Sequence, residues 1–203
     1  MILNKVKEKL SHFSVPAFIY ILILVGFCRY LPLELPEFFN FSPVLAIFLL
    51  SGAYLKGYQA WATPILAVFV SDFFLAKNYN MNFFEPFMLS TFFSYLLIFW
   101  IGKKFALKRN LKNVFVSCIV SALLFHFVTC SLSWWINPAY AKSISGLIQS
   151  LVVGEPGYAP SYLFLRNSML GTVFFGLLLS LVGNMIENFA FSKQRTQLNH
   201  QPS

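Results

Sequence analysis

Residues 114–136 read VFVSCIVSALLFHFVTCSLSWWI, a run without one charged side chain. Wound as a helix at roughly 1.5 Å per residue it is about 35 Å long, and a bilayer's hydrocarbon core is roughly 30 Å thick. The run therefore predicts a helix that crosses a membrane. The composition around it agrees. The chain of 203 residues is 58% hydrophobic and 11% charged, with a mean hydropathy of +0.67. Soluble proteins carry about 25% charged residues, so this chain has too little charge to cover a water-facing surface. That excludes a cytosolic globular enzyme and a disordered chain. It also excludes a nucleic-acid-binding domain, although the net charge is +8 and the pI about 9.5.

Five more apolar runs flank the first, giving six in all: Phe13–Leu31, Phe41–Leu55, Ala60–Ala76, Phe83–Gly102, Val114–Ile136 and Tyr162–Phe191. Each is read as a spanning helix. Pro and Gly mark the joints. Pro32 and Pro36 break the chain after the first segment, Lys56-Gly57-Tyr58 turns it between the second and third, and Pro138 ends the fifth. Pro43 and Pro64 lie near the starts of the second and third segments, where a missing N–H costs little. Lys5, Lys7 and Lys9 precede the first segment as in a signal peptide, but no small-x-small cleavage site follows and bulky Phe27 precedes Cys28. The segment is read as a retained membrane helix. The expected fold is all-α and polytopic: one transmembrane helical domain over 1–191, then a flexible cytoplasmic tail over 192–203.

Lysine and arginine set the orientation. With both termini cytoplasmic, the inner side holds Lys5, Lys7, Lys9, Lys56, Lys103, Lys104, Lys108, Arg109, Lys112, Lys193 and Arg195. The outer side holds only Arg29, Lys77, Lys142 and Arg166. The expected location is a bacterial inner membrane, crossed several times, with the lipid bilayer as first partner. The outer connection Asn137–Ser161 is long. Its apolar middle, Ile144–Val153, is too short to span and reads as a re-entrant or surface-lying helix, or as part of a lid.

Ionisable and polar groups within membrane segments are costly and mark candidate functional sites. Here they gather toward the outer side: Arg29, Asn40, Ser42, Asp72, Arg166 and Asn167, with His126 deeper in the fifth segment. The functional reading is an outward-facing substrate pocket in which Asp72 balances Arg166 or Arg29. Tyr30, Phe73, Phe74, Trp134 and Trp135 would supply aromatic walls. The structural reading is an Asp–Arg pair that only ties helices together, with His126 hydrogen-bonded as a packing residue. Cys28, Cys118 and Cys130 lie in apolar runs without metal-ligand spacing and read as buried thiols. There is no HExxH, no GxxxxGK[ST] and no GxSxG, so neither an enzyme, a cofactor nor a metal site is expected. A small membrane enzyme using His126 is the weaker rival, and a membrane scaffold or interaction protein the stronger one.

The stretch Asn40-Phe41-Ser42-Pro43-Val44, continuing through Ala46 to Gly52-Ala53-Tyr54, then Pro64 and Ser71-Asp72, resembles a small uncharacterised bacterial membrane family. So does Leu163-Phe164-Leu165-Arg166-Asn167-Ser168-Met169-Leu170-Gly171. The resemblance covers roughly residues 29–185. That family in turn resembles the substrate-binding (S) components of energy-coupling-factor transporters. Those are six-helix proteins of similar length that capture vitamins or metal ions from outside. They topple within the membrane, driven by a coupling membrane subunit and two ATPases. The resemblance implies a transport subunit with such partners and a small-molecule substrate. This chain departs from the S components in lacking an alanine-rich stripe on its first helix, and it has Thr172 where the small family often has an acid.

Overall fold

The computed structural model describes residues 15–55, 57–78, 86–105 and 110–199. The expected helix starts at Phe13 and Phe83, the cations Lys5, Lys7, Lys9, Lys56, Lys108 and Arg109, and residues 200–203 lie outside the described residues. The described residues are helical, without strands: α1 (Val15–Glu34), a 3₁₀ turn (Pro36–Phe38), α2 (Val44–Tyr54), α3 (Gln59–Asn78), α4 (Pro86–Phe105), α5 (Leu111–Ile136), α6 (Ile144–Val152) and α7 (Ser161–Asn199). Three stretches are long and apolar enough to cross a membrane, namely Ala60–Asn78, Leu111–Ile136 and Ser161–Met185. The protein is accordingly a membrane protein.

The helix ends follow local chemistry, and several depart from the expected boundaries: α4 runs on to Phe105, α5 starts at Leu111, and three further cases are instructive. Pro32 does not end α1, which continues to Glu34. A proline in the last turn removes one hydrogen bond, and the helix closes only when Pro36 opens the 3₁₀ turn. The second segment, expected over Phe41–Leu55, forms only the 11-residue α2. That is about 16 Å of helix. Phe39 to Pro43 is instead an irregular approach, with Ser42 Oγ accepting a hydrogen bond from Val44 N at 3.3 Å. The last helix does not stop at Phe191. It runs on to Asn199, so most of the expected tail is helical. Asn110 caps α5 by accepting from Lys112 N at 3.0 Å, as a side-chain oxygen at a helix start does. Gly57 takes the left-handed backbone that the turn before α3 needs (φ 68°), at little steric cost.

α2 is the central element. Val44 to Gly52 are all buried, and the helix packs against α3, α4, α5 and α7. Lipid is as apolar as leucine, so helices in a membrane associate where backbones approach closely. α2 and α4 do this reciprocally. A Cβ on Gly52 would overlap the Phe99 carbonyl, and one on Gly102 would overlap the Leu49 carbonyl. Phe48 of α2, Tyr95 of α4 and Phe125 of α5 form a ladder of near-parallel rings, with centroids 4.5 and 5.9 Å apart. α1 lies along α3; α4 and α7 flank α5; and α6 rests on α5 and α7.

Candidate functional site

At the end of the bundle where α1, α3 and α5 finish and α2, α4 and α7 begin, the helices border a half-open cavity of about 310 Å³. α1 contributes Cys28, Arg29 and Pro32, and the approach to α2 contributes Phe39, Asn40, Phe41 and Ser42. Leu75, Tyr95, Phe125 and Ser168 come from α3, α4, α5 and α7. The wall is mainly apolar, with a guanidinium, a phenol, a carboxamide and hydroxyls set into it. That mixture is typical of a site for a small molecule.

Arg29 forms an ion pair with Asp72 across α1 and α3, each side chain about one-fifth exposed. The pair leaves the local net charge near zero, which is how two ionised groups become tolerable in a low-dielectric interior. Arg29 Nη1 is buried, with no hydrogen-bond partner among the described residues. The Tyr95 ring, fully within the bundle, lies near both members of the pair. Asn40 holds a left-handed backbone conformation (φ 62°), which turns the chain at the cavity's edge. Asparagine tolerates that conformation better than most side chains.

The rim is held from α7. Asn167 Nδ2 donates to the Glu37 carbonyl at 2.6 Å and to the Phe39 carbonyl at 2.8 Å. Its Oδ1 accepts from Arg166 Nε at 3.2 Å. Gly171 lets α7 approach the same segment, because a Cβ there would sit 2.8 Å from Ser42 N. Phe39 meets Phe164 edge-on at 5.9 Å, and Phe41 meets Phe175 at 5.7 Å. Two stretches separated by about 130 residues thus close on each other.

The seven candidate residues divide into three groups. Arg29, Asn40 and Ser42 line the cavity, with Asp72 paired to Arg29. Asn167 is buried beneath the rim and orders it, while Arg166 is exposed and bonds sideways to Asn167. His126 stands apart: its Nε2 lies 2.8 Å from the Leu151 carbonyl of α6, and its Nδ1 lies 3.7 Å from Cys130 Sγ. Asp72 therefore pairs with Arg29 rather than Arg166. The aromatic wall differs from the expected set as well. Tyr30, Phe73, Phe74, Trp134 and Trp135 do not line the cavity, whereas Phe39, Phe41, Tyr95 and Phe125 do. Trp134 instead donates from Nε1 to the Ala141 carbonyl at 2.8 Å.

Sequence reasoning passes over Tyr95 and Ser168. Tyr95 does carry a signal, since a phenol inside a long apolar run has to place its hydroxyl somewhere polar. Among the described residues no group of His, Cys, Asp or Glu is arranged to hold a metal ion.

Residues 8–194 match the model of a family of unknown function, DUF6580. The chain belongs to this family. No curated protein and no solved structure matches it. Both stretches that meet at the rim lie within the matched residues of the family model.

Proposed function

We propose that this DUF6580 member is a transporter-type substrate-binding subunit that captures a small solute in the cavity beside Arg29 and Asp72. The observation that carries the reading is a cavity of about 310 Å³ with one member of a partly buried ion pair in its wall. An ion pair that served only to fasten α1 to α3 has no need of a cavity at its side. The N-terminal end of α2 also borders the cavity through Val44 and Leu45, and the positive end of a helix dipole favours an electronegative group there. A ligand with one polar head and an apolar body fits such a wall. Phe39, Phe41 and Phe125 would cover the body.

On this reading the chain crosses the cell membrane six times with both termini cytoplasmic, as the lysine and arginine distribution favours. α2 is the crossing completed by the irregular Phe39–Pro43 segment. The cavity then opens toward the outside. Energy comes from a coupling membrane subunit and ATPases, since the chain carries no nucleotide-binding motif of its own. The chain itself performs no chemistry on the solute, and neither a cofactor nor nucleic acid enters the reading.

The competing reading is a scaffold whose Arg29–Asp72 pair is only a fastener. Purification from native membranes in mild detergent, followed by mass spectrometry of proteins and retained small molecules, separates the two. Solute binding requires a stoichiometric small molecule that is lost in Ser168→Phe, which takes up cavity space while leaving Arg29 and Asp72 unsubstituted. Co-purification of an ATPase pair and a membrane partner supports the transport assignment. An empty, stable chain recovered alone favours the scaffold.

A further inference from the structure

Between α5 and α7 the chain does not simply turn. α6 follows α5 back toward the middle of the bundle, and the bonds of the connection and of α6 descend that helix in order. Trp134 Nε1 donates to the Ala141 carbonyl at 2.8 Å, Ser150 Oγ to the Cys130 carbonyl at 3.2 Å, and His126 Nε2 meets the Leu151 carbonyl at 2.8 Å. The stretch of α5 from Trp134 to His126 is about 12 Å long.

The amphipathicity of α6 is reversed relative to a helix on a soluble protein. Its small and polar residues Gly146 and Ser150 face the protein. Gly146 is packed so closely that a Cβ would overlap the Ala141 carbonyl. Ile144 is 80% exposed, Ile148 56% and Val152 48%. Spaced four residues apart, the three form one ridge of the helix. Both charged side chains of the connection are engaged with the protein. Lys142 Nζ donates to the Trp134 and Asn137 carbonyls, and Glu155 Oε2 accepts from Asn137 Nδ2 at 2.7 Å. Water would favour the opposite arrangement of α6, with the small polar face outward and the isoleucines inward.

The backbone is completed as a lipid environment demands. Ser143 caps the start of α6 by accepting from Gly146 N. At the other end, the Gln149 carbonyl accepts from both Val153 N and Gly154 N, with Gly154 left-handed (φ 84°). The Leu151 carbonyl lies in the last turn and has no intrahelical donor. His126 supplies one, which assigns the proton to Nε2 by its partner.

We propose that α6 is a re-entrant helix whose ridge Ile144–Ile148–Val152 packs against the acyl chains of one membrane leaflet, with His126 as the positioning residue that caps its buried end. Lipid is the occupant for two reasons. The ridge is three side chains long, far short of the roughly 800 Å² per partner in a stable protein interface. It also belongs to a helix packed along α5, which is long and apolar enough to span and itself exposes Trp135 and Ile136. α6 contributes nothing to the cavity wall, so this inference stands apart from solute binding.

The test uses the full chain in vesicles of phosphatidylethanolamine and phosphatidylglycerol. Ile148→Cys in a background lacking Cys28, Cys118 and Cys130 is labelled with a small environment-sensitive fluorophore. Bromine placed along the lipid acyl chains is expected to quench the label, while aqueous iodide leaves its emission unchanged. A benzophenone amino acid at position 148 is expected to give phospholipid adducts on illumination. Iodide quenching without acyl-chain quenching overturns the proposal. So does cross-linking to a second copy of the chain in place of lipid.

Discussion

Replacing His126 tests how the end of α6 is held. His126 Nε2 bonds the Leu151 carbonyl at 2.8 Å, and the side chain is buried. His126→Phe keeps a ring in the site and deletes the donor. The Leu151 carbonyl is then buried without a partner, which costs about 1–3 kcal/mol. His126→Ala also removes about 60 Å³ of side chain, adding about 1.5 kcal/mol at roughly 24 cal/mol per Å³ of cavity. The alanine variant should therefore lose about 2.5–4.5 kcal/mol, and phenylalanine about 1–3 kcal/mol. His126→Gln, whose amide nitrogen reaches nearly as far as Nε2, should recover most of the phenylalanine loss. Reversible unfolding in mixed micelles reads the totals. Amide hydrogen exchange over 144–153 reads the local effect, since losing a cap should open α6 before the rest of the bundle. A phenylalanine variant as stable as the parent, with unchanged exchange in α6, would refute the capping argument.

Other expectations rest on the same geometry. Arg29→Met and Asp72→Leu should each destabilise by about 3 kcal/mol, whereas the double variant should cost much less than their sum, because a lone buried charge is worse than none; a double-variant cycle measures this. Gly102→Leu should separate α2 from α4, since the obstructing atom is the Leu49 backbone carbonyl and cannot swing aside. Unfolding should show a stability lower by about 1–3 kcal/mol. Asn167→Ala should lose the bonds to the Glu37 and Phe39 carbonyls, at a cost of about 1–3 kcal/mol. In addition, exchange over 36–42 should rise in that variant and any co-purified small molecule should be retained less well.

Much of the site's membership is legible as chemistry at a depth. Arg29 and Asp72 are charges near the ends of apolar runs, and the cost of a lone charge there already demands a partner. Which partner is not legible. Asp72 has two cations within reach by depth, Arg29 and Arg166. The choice rests on the rotation of α1, α3 and α7 and on which of them are neighbours. The aromatic wall is hidden for the same reason. With 25 phenylalanines in the chain, depth alone cannot say which ones turn inward. His126 groups with the pocket in sequence because it shares the apolar environment of the other candidates. Its actual partner is a backbone carbonyl on α6, and a carbonyl has no signature in sequence.

The sequence by itself determined that this chain is helical and membrane-embedded, and roughly where its long helices lie. Hydropathy, charge and the punctuation by proline and glycine are properties of each residue and its near neighbours, and the bilayer acts on them segment by segment. Only the tertiary structure decided that α2 is a short buried element at the centre. It likewise decided that the Arg29–Asp72 pair stands beside a cavity, that Asn167 and Gly171 lock the 37–42 segment from α7, and that α6 turns its apolar ridge outward. Each of these depends on how helices far apart in the chain are ordered and rotated against one another. That arrangement is set by close backbone approaches such as Gly52 on Phe99 and Gly171 on Ser42, which no local pattern records.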